Sequence, residues 1–122
     1  MLNGRTVLVV EEEFLIALDI QRMLESHDAG QMLFARSPQE ALEQQTHWHT
    51  LGLAIVELHT EAGQSLALAE RLNDAGIPLI LHTADSSVRK GHPKFPGVPV
   101  VVKPTSEDFL HEAIRSALAA RP

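Results

Sequence analysis

The sequence predicts an α/β protein, a three-layer α/β/α sandwich around a five-stranded parallel sheet. Two observations carry that expectation. Short β-branched runs alternate with longer amphipathic ones, which favours right-handed βαβ units over hairpins. Three of the apolar runs also stop abruptly in charge: Val7 to Val10 at Glu11, Glu12 and Glu13, Leu53 to Val56 at Glu57, and Val98 to Val102 at Lys103-Pro104. Parallel strands of an open sheet bring their carboxyl ends to one crevice, where such sheets bind ligands. An acidic pocket with one lysine is expected there.

The first strand spans about Thr6 to Val10. From Glu11 onward the pattern becomes helical, with Ile16, Ile20, Met23 and Leu24 on one face, acids in the first turn to complement the helix dipole, and an end near Gly30. Gln31 to Ala35 is a weaker strand suited to a sheet edge. Ser37-Pro38-Gln39-Glu40 then supplies an N-cap, a proline at the first helical position and a capping-box glutamate. The third strand, Leu53 to Leu58, leads into a helix carrying Leu66, Ala69 and Leu72 and closed by Gly76. Ile77 to His82 gives the fourth strand and Val98 to Val102 the fifth. Between them Gly91, Pro93, Pro96, Gly97 and Pro99 leave room for only a short helix, Ser86 to Lys90. Thr105-Ser106-Glu107-Asp108 opens a final helix with Leu110, Ala113, Ile114 and Ala117 along one stripe.

A chain of 122 residues is the size of one domain, so one core spanning 1–122 is expected. Aromatics contribute only 4 %, which makes that core aliphatic. The net charge of −6 argues against nonspecific binding to nucleic acid or to anionic membranes. Without cysteine there is no disulfide, thiolate zinc site or thiol nucleophile. Neither a secretory leader nor a membrane span is legible, and a cytoplasmic location is the plain reading. His47-Trp48-His49 has too few neighbouring ligands for a zinc site, so exposure of the histidines is expected. His82 and His59 are placed beside the pocket, where each can tune it near neutral pH.

A glutamate-rich turn is by itself a capping feature, and a lone lysine a solvated charge. Their convergence with the third strand is what marks a site. Val7-Leu8-Val9-Val10-Glu11-Glu12, Ala54-Ile55-Val56-Glu57-Leu58, His82-Thr83-Ala84 and Val101-Val102-Lys103-Pro104, in this order and spacing, resemble the receiver domains of two-component response regulators over essentially the whole chain. The resemblance implies a flavodoxin-like, CheY-like sheet of order 2-1-3-4-5. It also implies phosphoryl transfer from a histidine kinase, or a small phosphodonor, to an aspartate ending the third strand, a self-modification and not turnover of a substrate.

By the same resemblance Glu57 stands at the phosphoacceptor position, Thr83 matches the hydroxyl that bonds the phosphoryl oxygen, and Lys103 matches its cationic partner. Glu11 and Glu12 match the acidic pair that binds Mg2+, with Glu12 the direct ligand, joined by Glu57 and the backbone carbonyl of His59. The bond to Pro104 is implied to be cis. Val100 falls where the family carries its switch aromatic. The implied partners are a histidine kinase or other signalling protein, or a second copy of the chain, with no nucleic acid and no membrane. No output domain is legible after Ala119-Ala120-Arg121-Pro122, so the expectation is a stand-alone receiver or one excised from a longer protein.

The departures matter as much as the matches. Glutamate at 57 is one methylene longer than the aspartate the chemistry uses, and misplacement of about 1 Å can cost roughly a hundredfold in rate. Three long acids crowd one pocket, and Val100 has no ring to rotate. The preferred reading is a degenerate pocket in which Glu57 pairs with Lys103 and the domain binds partners. Two alternatives stay open: Glu57 as a built-in mimic of the phosphorylated state, and ordinary phosphorylation on Glu57. A flavodoxin-like nucleotide- or cofactor-binding protein is the alternative of a different class, against which stands the lack of a glycine-rich phosphate loop after the first strand.

Overall fold

The computed structural model describes residues 1–59 and 63–120; Arg121 and Pro122, named above at the chain end, lie outside the described residues. Strands β1 (Thr6–Val10), β2 (Met32–Ala35), β3 (Leu51–Glu57), β4 (Leu79–Thr83) and β5 (Val100–Val102) form one sheet in the order β2-β1-β3-β4-β5. Every pairing is parallel. Helices α1 (Phe14–Glu25), α2 (Pro38–Glu43), α3 (Gly63–Asp74) and α4 (Glu107–Ala120) cover its two faces.

Side chains alternate across a strand, and the core follows that alternation. Val7, Val9, Leu53, Ile55, Ile80 and Val101 face Ile20 and Leu24 of α1 and Leu110 and Ile114 of α4. Leu8, Val10, Ala54, Val56 and Leu81 face Ala41 of α2 and Leu68 and Leu72 of α3. The sheet is therefore buried on both sides, which is why its strands read as continuous apolar runs. The final-helix stripe is buried as expected at Leu110, Ala113, Ile114 and Ala117.

Several boundaries differ from the sequence expectation, each for a local reason. α1 begins at Phe14 with Glu13 as an extended N-cap, and its first turn holds no acid. Glu11 and Glu12 are drawn out of the helix into the pocket. The helix also stops at Glu25, well before Gly30, because the following chain turns to meet the N-terminal segment. Leu2 N–H donates to His27 O and Gly30 N–H to Arg5 O, at 2.8 and 2.9 Å. Gly30 passes so close to Gly4 that a Cβ would fall 2.2 Å from its carbonyl oxygen.

α2 follows its signals: Pro38 stands at the helix start, and Ser37 Oγ accepts from Glu40 N–H at 3.2 Å. Glu40 reaches back one residue further than a capping box requires, to Arg36 N–H at 2.9 Å. A 3-10 segment, Gln45–Thr50, then buries Trp48, whose Nε1–H donates to Ala41 O at 3.2 Å. His47 and His49 are exposed.

Between β4 and β5 the expected short helix is one 3-10 turn, Ser86–Val88. Phe95, inside the glycine- and proline-rich stretch, is 1 % exposed and fills the core on the side of α3. β5 is shortened to start after Pro99, which has no N–H to donate, although its carbonyl still accepts from Leu81 N–H at 3.0 Å.

Candidate functional site

Register places the charged strand ends together. Val10 pairs with Val56, Glu57 with His82, and Thr83 with Val102, so Glu11, Glu57, Thr83 and Lys103 meet at one edge of the sheet. Glu11 and Glu57 are buried at 3 and 7 % exposure.

The Lys103 ammonium is the hub. Nζ donates to Glu57 Oε2 and lies 3.1 Å from Glu11 Oε1. Burial pulls the lysine pKa down, but the bonds to Glu57 and Glu11 outweigh it and hold the ammonium above its ordinary range. Burial likewise pushes the Glu11 carboxyl up. His82, the Glu13 amide and Lys103 together overcome that and bring it down to about 2. Glu11 Oε2 accepts from Glu13 N–H at 3.0 Å, so both its oxygens are engaged within the protein.

Glu57 is held at its other oxygen as well. Oε1 accepts from Glu12 N–H at 3.3 Å and faces His59 Nε2 at 3.1 Å. His59 Nε2 also lies 3.5 Å from Glu12 Oε2. Thr83 is buried at the end of β4, where its hydroxyl donates to Leu58 O at 3.2 Å and accepts from Asp85 N–H at 3.1 Å. Asp85 is half-buried, and its carboxyl is held low by the Ser87 hydroxyl and amide. Val100 is half-buried at the start of β5, and the Lys103-Pro104 bond is cis.

Two histidines, expected beside the pocket, make contacts that sequence alone did not specify. The strand alternation turns His82 away from Thr83 to the opposite face, where it is 2 % exposed, with Nδ1 3.5 Å from Glu11 Oε1 and Nε2 against the Thr105 hydroxyl. His59 meets the carboxylates through its imidazole, while its carbonyl lies 3.4 Å from Ser65 Oγ. An apolar strand interrupted by histidine was the available signal for His82. For His59 only three-dimensional placement could separate ring from backbone.

The donor set bears on metal choice. Glu12, Glu57 and His59 bring three ligand atoms within 4.8 Å of one another, the group of this kind among the described residues. Magnesium prefers oxygen ligands and octahedral water-rich coordination. Here Glu11 is committed to Lys103, His82 and the Glu13 amide, the His59 carbonyl faces Ser65, and the third donor of the cluster is nitrogen. Glu12 and Glu57 still offer carboxylate oxygens side by side at this edge, as the family resemblance implies for a divalent cation.

The sheet order and this edge pocket define the class: the chain has the fold of a response regulator receiver domain. No family model and no curated protein matches the sequence. Among solved structures it is similar to the PhyR stress response regulator, with a TM-score of 0.80 and 27 % identity over 98 % of this chain. It spans 46 % of that regulator's length. It is also similar to SdrG from Sphingomonas melonis, at a TM-score of 0.75 and 28 % identity, covering 97 % of this chain and 99 % of that one. A response regulator from Thermotoga maritima aligns at a TM-score of 0.77 with 24 % identity over 95 % of this chain and 98 % of its own.

Proposed function

We propose that the chain is a signalling module of receiver type whose phosphoacceptor pocket is locked by its own side chains, and that it acts through contacts with a histidine kinase or another signalling protein. One observation carries this reading: Lys103 is engaged at once by Glu57 Oε2 and by the buried Glu11. In phosphoryl transfer the attacking carboxylate must be aimed at phosphorus and the lysine must neutralise the incoming phosphoryl oxygens. Here the acid and the cation that would do this satisfy each other. Attack by Glu57 would break a charge-assisted bond and leave Glu11 to compete with the phosphoryl group for one ammonium.

The mimic reading asks Glu57 to stand in for a dianionic group with three acceptor oxygens. It needs Thr83 to turn to Glu57, whereas the Thr83 hydroxyl donates to Leu58 O. The locked pocket is therefore preferred. Incubation with a small phosphodonor and magnesium, read by intact-protein mass spectrometry, tests it. The expected result is no phosphoryl adduct on the native chain and an adduct on Glu57→Asp, whose shorter side chain withdraws from Lys103. An adduct on Glu57 of the native chain overturns the locked pocket.

A further inference from the structure

We infer that His27, His111 and Glu107 form a transition-metal site apart from the Glu57 pocket, taking a borderline divalent cation of the zinc class through two imidazole nitrogens and a carboxylate oxygen. The histidines belong to elements far apart in the chain: His27 follows the end of α1, and His111 lies in the second turn of α4. Their ring centres are 5.0 Å apart, with the planes tilted by 52°. Two imidazoles sharing one tetrahedral zinc, each bonded at about 2.0–2.1 Å, have ring centres roughly 5 Å apart. The fold thus supplies the spacing that the ion needs. Glu107 precedes His111 by four residues on α4, so the two side chains stand on one face of the helix. Two histidines and a glutamate leave a fourth position for water, as in an open zinc site.

The backbone beneath His27 is fixed without the ion. Its N–H donates to Leu24 O at 3.0 Å, and its carbonyl accepts from Leu2 N–H at 2.8 Å. The His27 ring is half-buried whereas His111 and Glu107 are exposed, so one ligand is held and two can close on the ion. Burial, the facing His111 and the terminal amine pull the His27 pKa down, against an opposing pull from Glu107 and Asp28. At neutral pH that imidazole is uncharged, the form that ligates a metal. The two acids are close enough to favour a cation at the rings. Imidazole donors suit zinc, copper and nickel, whereas magnesium takes oxygens. An ion here ties the end of α1 to the first turns of α4, the two helices that cover the same face of the sheet, and so stabilises the folded domain.

The test is a titration of the full, nitrogen-labelled chain with zinc at neutral pH, with magnesium in excess to occupy the carboxylates at Glu12 and Glu57, read from the histidine imidazole signals by NMR. The expected result is saturable binding in which the His27 and His111 signals shift together, with a thermal midpoint that rises as zinc is added. His27→Phe keeps a ring against His111 but removes the donor nitrogen. It and His111→Gln each weaken binding at this site by at least about tenfold, the loss that removing even a hydrogen-bond partner of a ligand causes. Glu107→Gln weakens it to a smaller extent, and His59→Ala leaves the His27 and His111 shifts as in the native chain. Circular dichroism checks that each variant is folded. His27 and His111 signals that stay unmoved at saturating zinc, native affinity in His27→Phe, or no saturable binding overturns the site and reduces the two rings to a packing contact.

Discussion

Glu57 and its neighbours form one charged network. The Glu57 carboxylate reaches Lys103 from the end of β3, and with Glu11 it satisfies the lysine from two sides. Glu11 makes this visible in pH dependence. Its carboxyl is held at about 2 against an ordinary 4.5, and one pKa unit is worth about 1.4 kcal/mol, so ionised Glu11 contributes about 3 kcal/mol to folding. Because the folded-state value is depressed, that stability is present in full above about pH 4.5 and is lost as pH falls toward 2. Urea denaturation at stepped pH should show the loss in the native chain and a flatter profile in Glu11→Gln. Lys103 has the opposite sign: its raised pKa gives stability that is complete below 10.5 and fades as pH rises beyond it. The residue types at this edge were legible in the sequence, since each follows an apolar run. Which atoms they present to one another was not, because the His59 ring and the facing direction of His82 depend on placement across three strands.

At the level of elements, signals confined to a few adjacent residues were the most readable. Ser37 and Pro38 start α2 as their chemistry requires. α1 starts later than its acidic turn suggests, because those acids serve a tertiary site and dipole complementarity loses to the bonds available at the pocket. The stretch from Ser86 to Pro99 offers little to read, for glycine and proline mask any periodicity. Phe95 nonetheless anchors it. With only a single 3-10 turn between β4 and β5, the Phe95 ring closes the core over that part of the sheet. Phe95→Ala should therefore cost about 3–5 kcal/mol, as truncation of a fully buried phenylalanine does. Equilibrium denaturation checks this, with an unchanged midpoint overturning the assignment.

The whole molecule is one sheet shared by two cores. Residues of β1 and β3 alternate between the layer of α1 and α4 and the layer of α2 and α3, so neither layer can lose its packing without exposing strands the other needs. Amide hydrogen exchange should give the slowest protons of both layers the same opening free energy; two well-separated values would show independent units. The five-stranded architecture was legible from alternation alone, whereas the strand order came from the family resemblance, because periodicity does not say which strands are neighbours. Among the described residues no helix is long and apolar enough to cross a membrane. Trp48 has a practical consequence. It is the single tryptophan of the chain, it is buried against α2, and it is absent from the Glu57 and Lys103 pocket. Its fluorescence is an internal gauge of whether the domain is folded, so any loss of metal or phosphodonor response in a variant can be separated, in the same cuvette, from loss of structure.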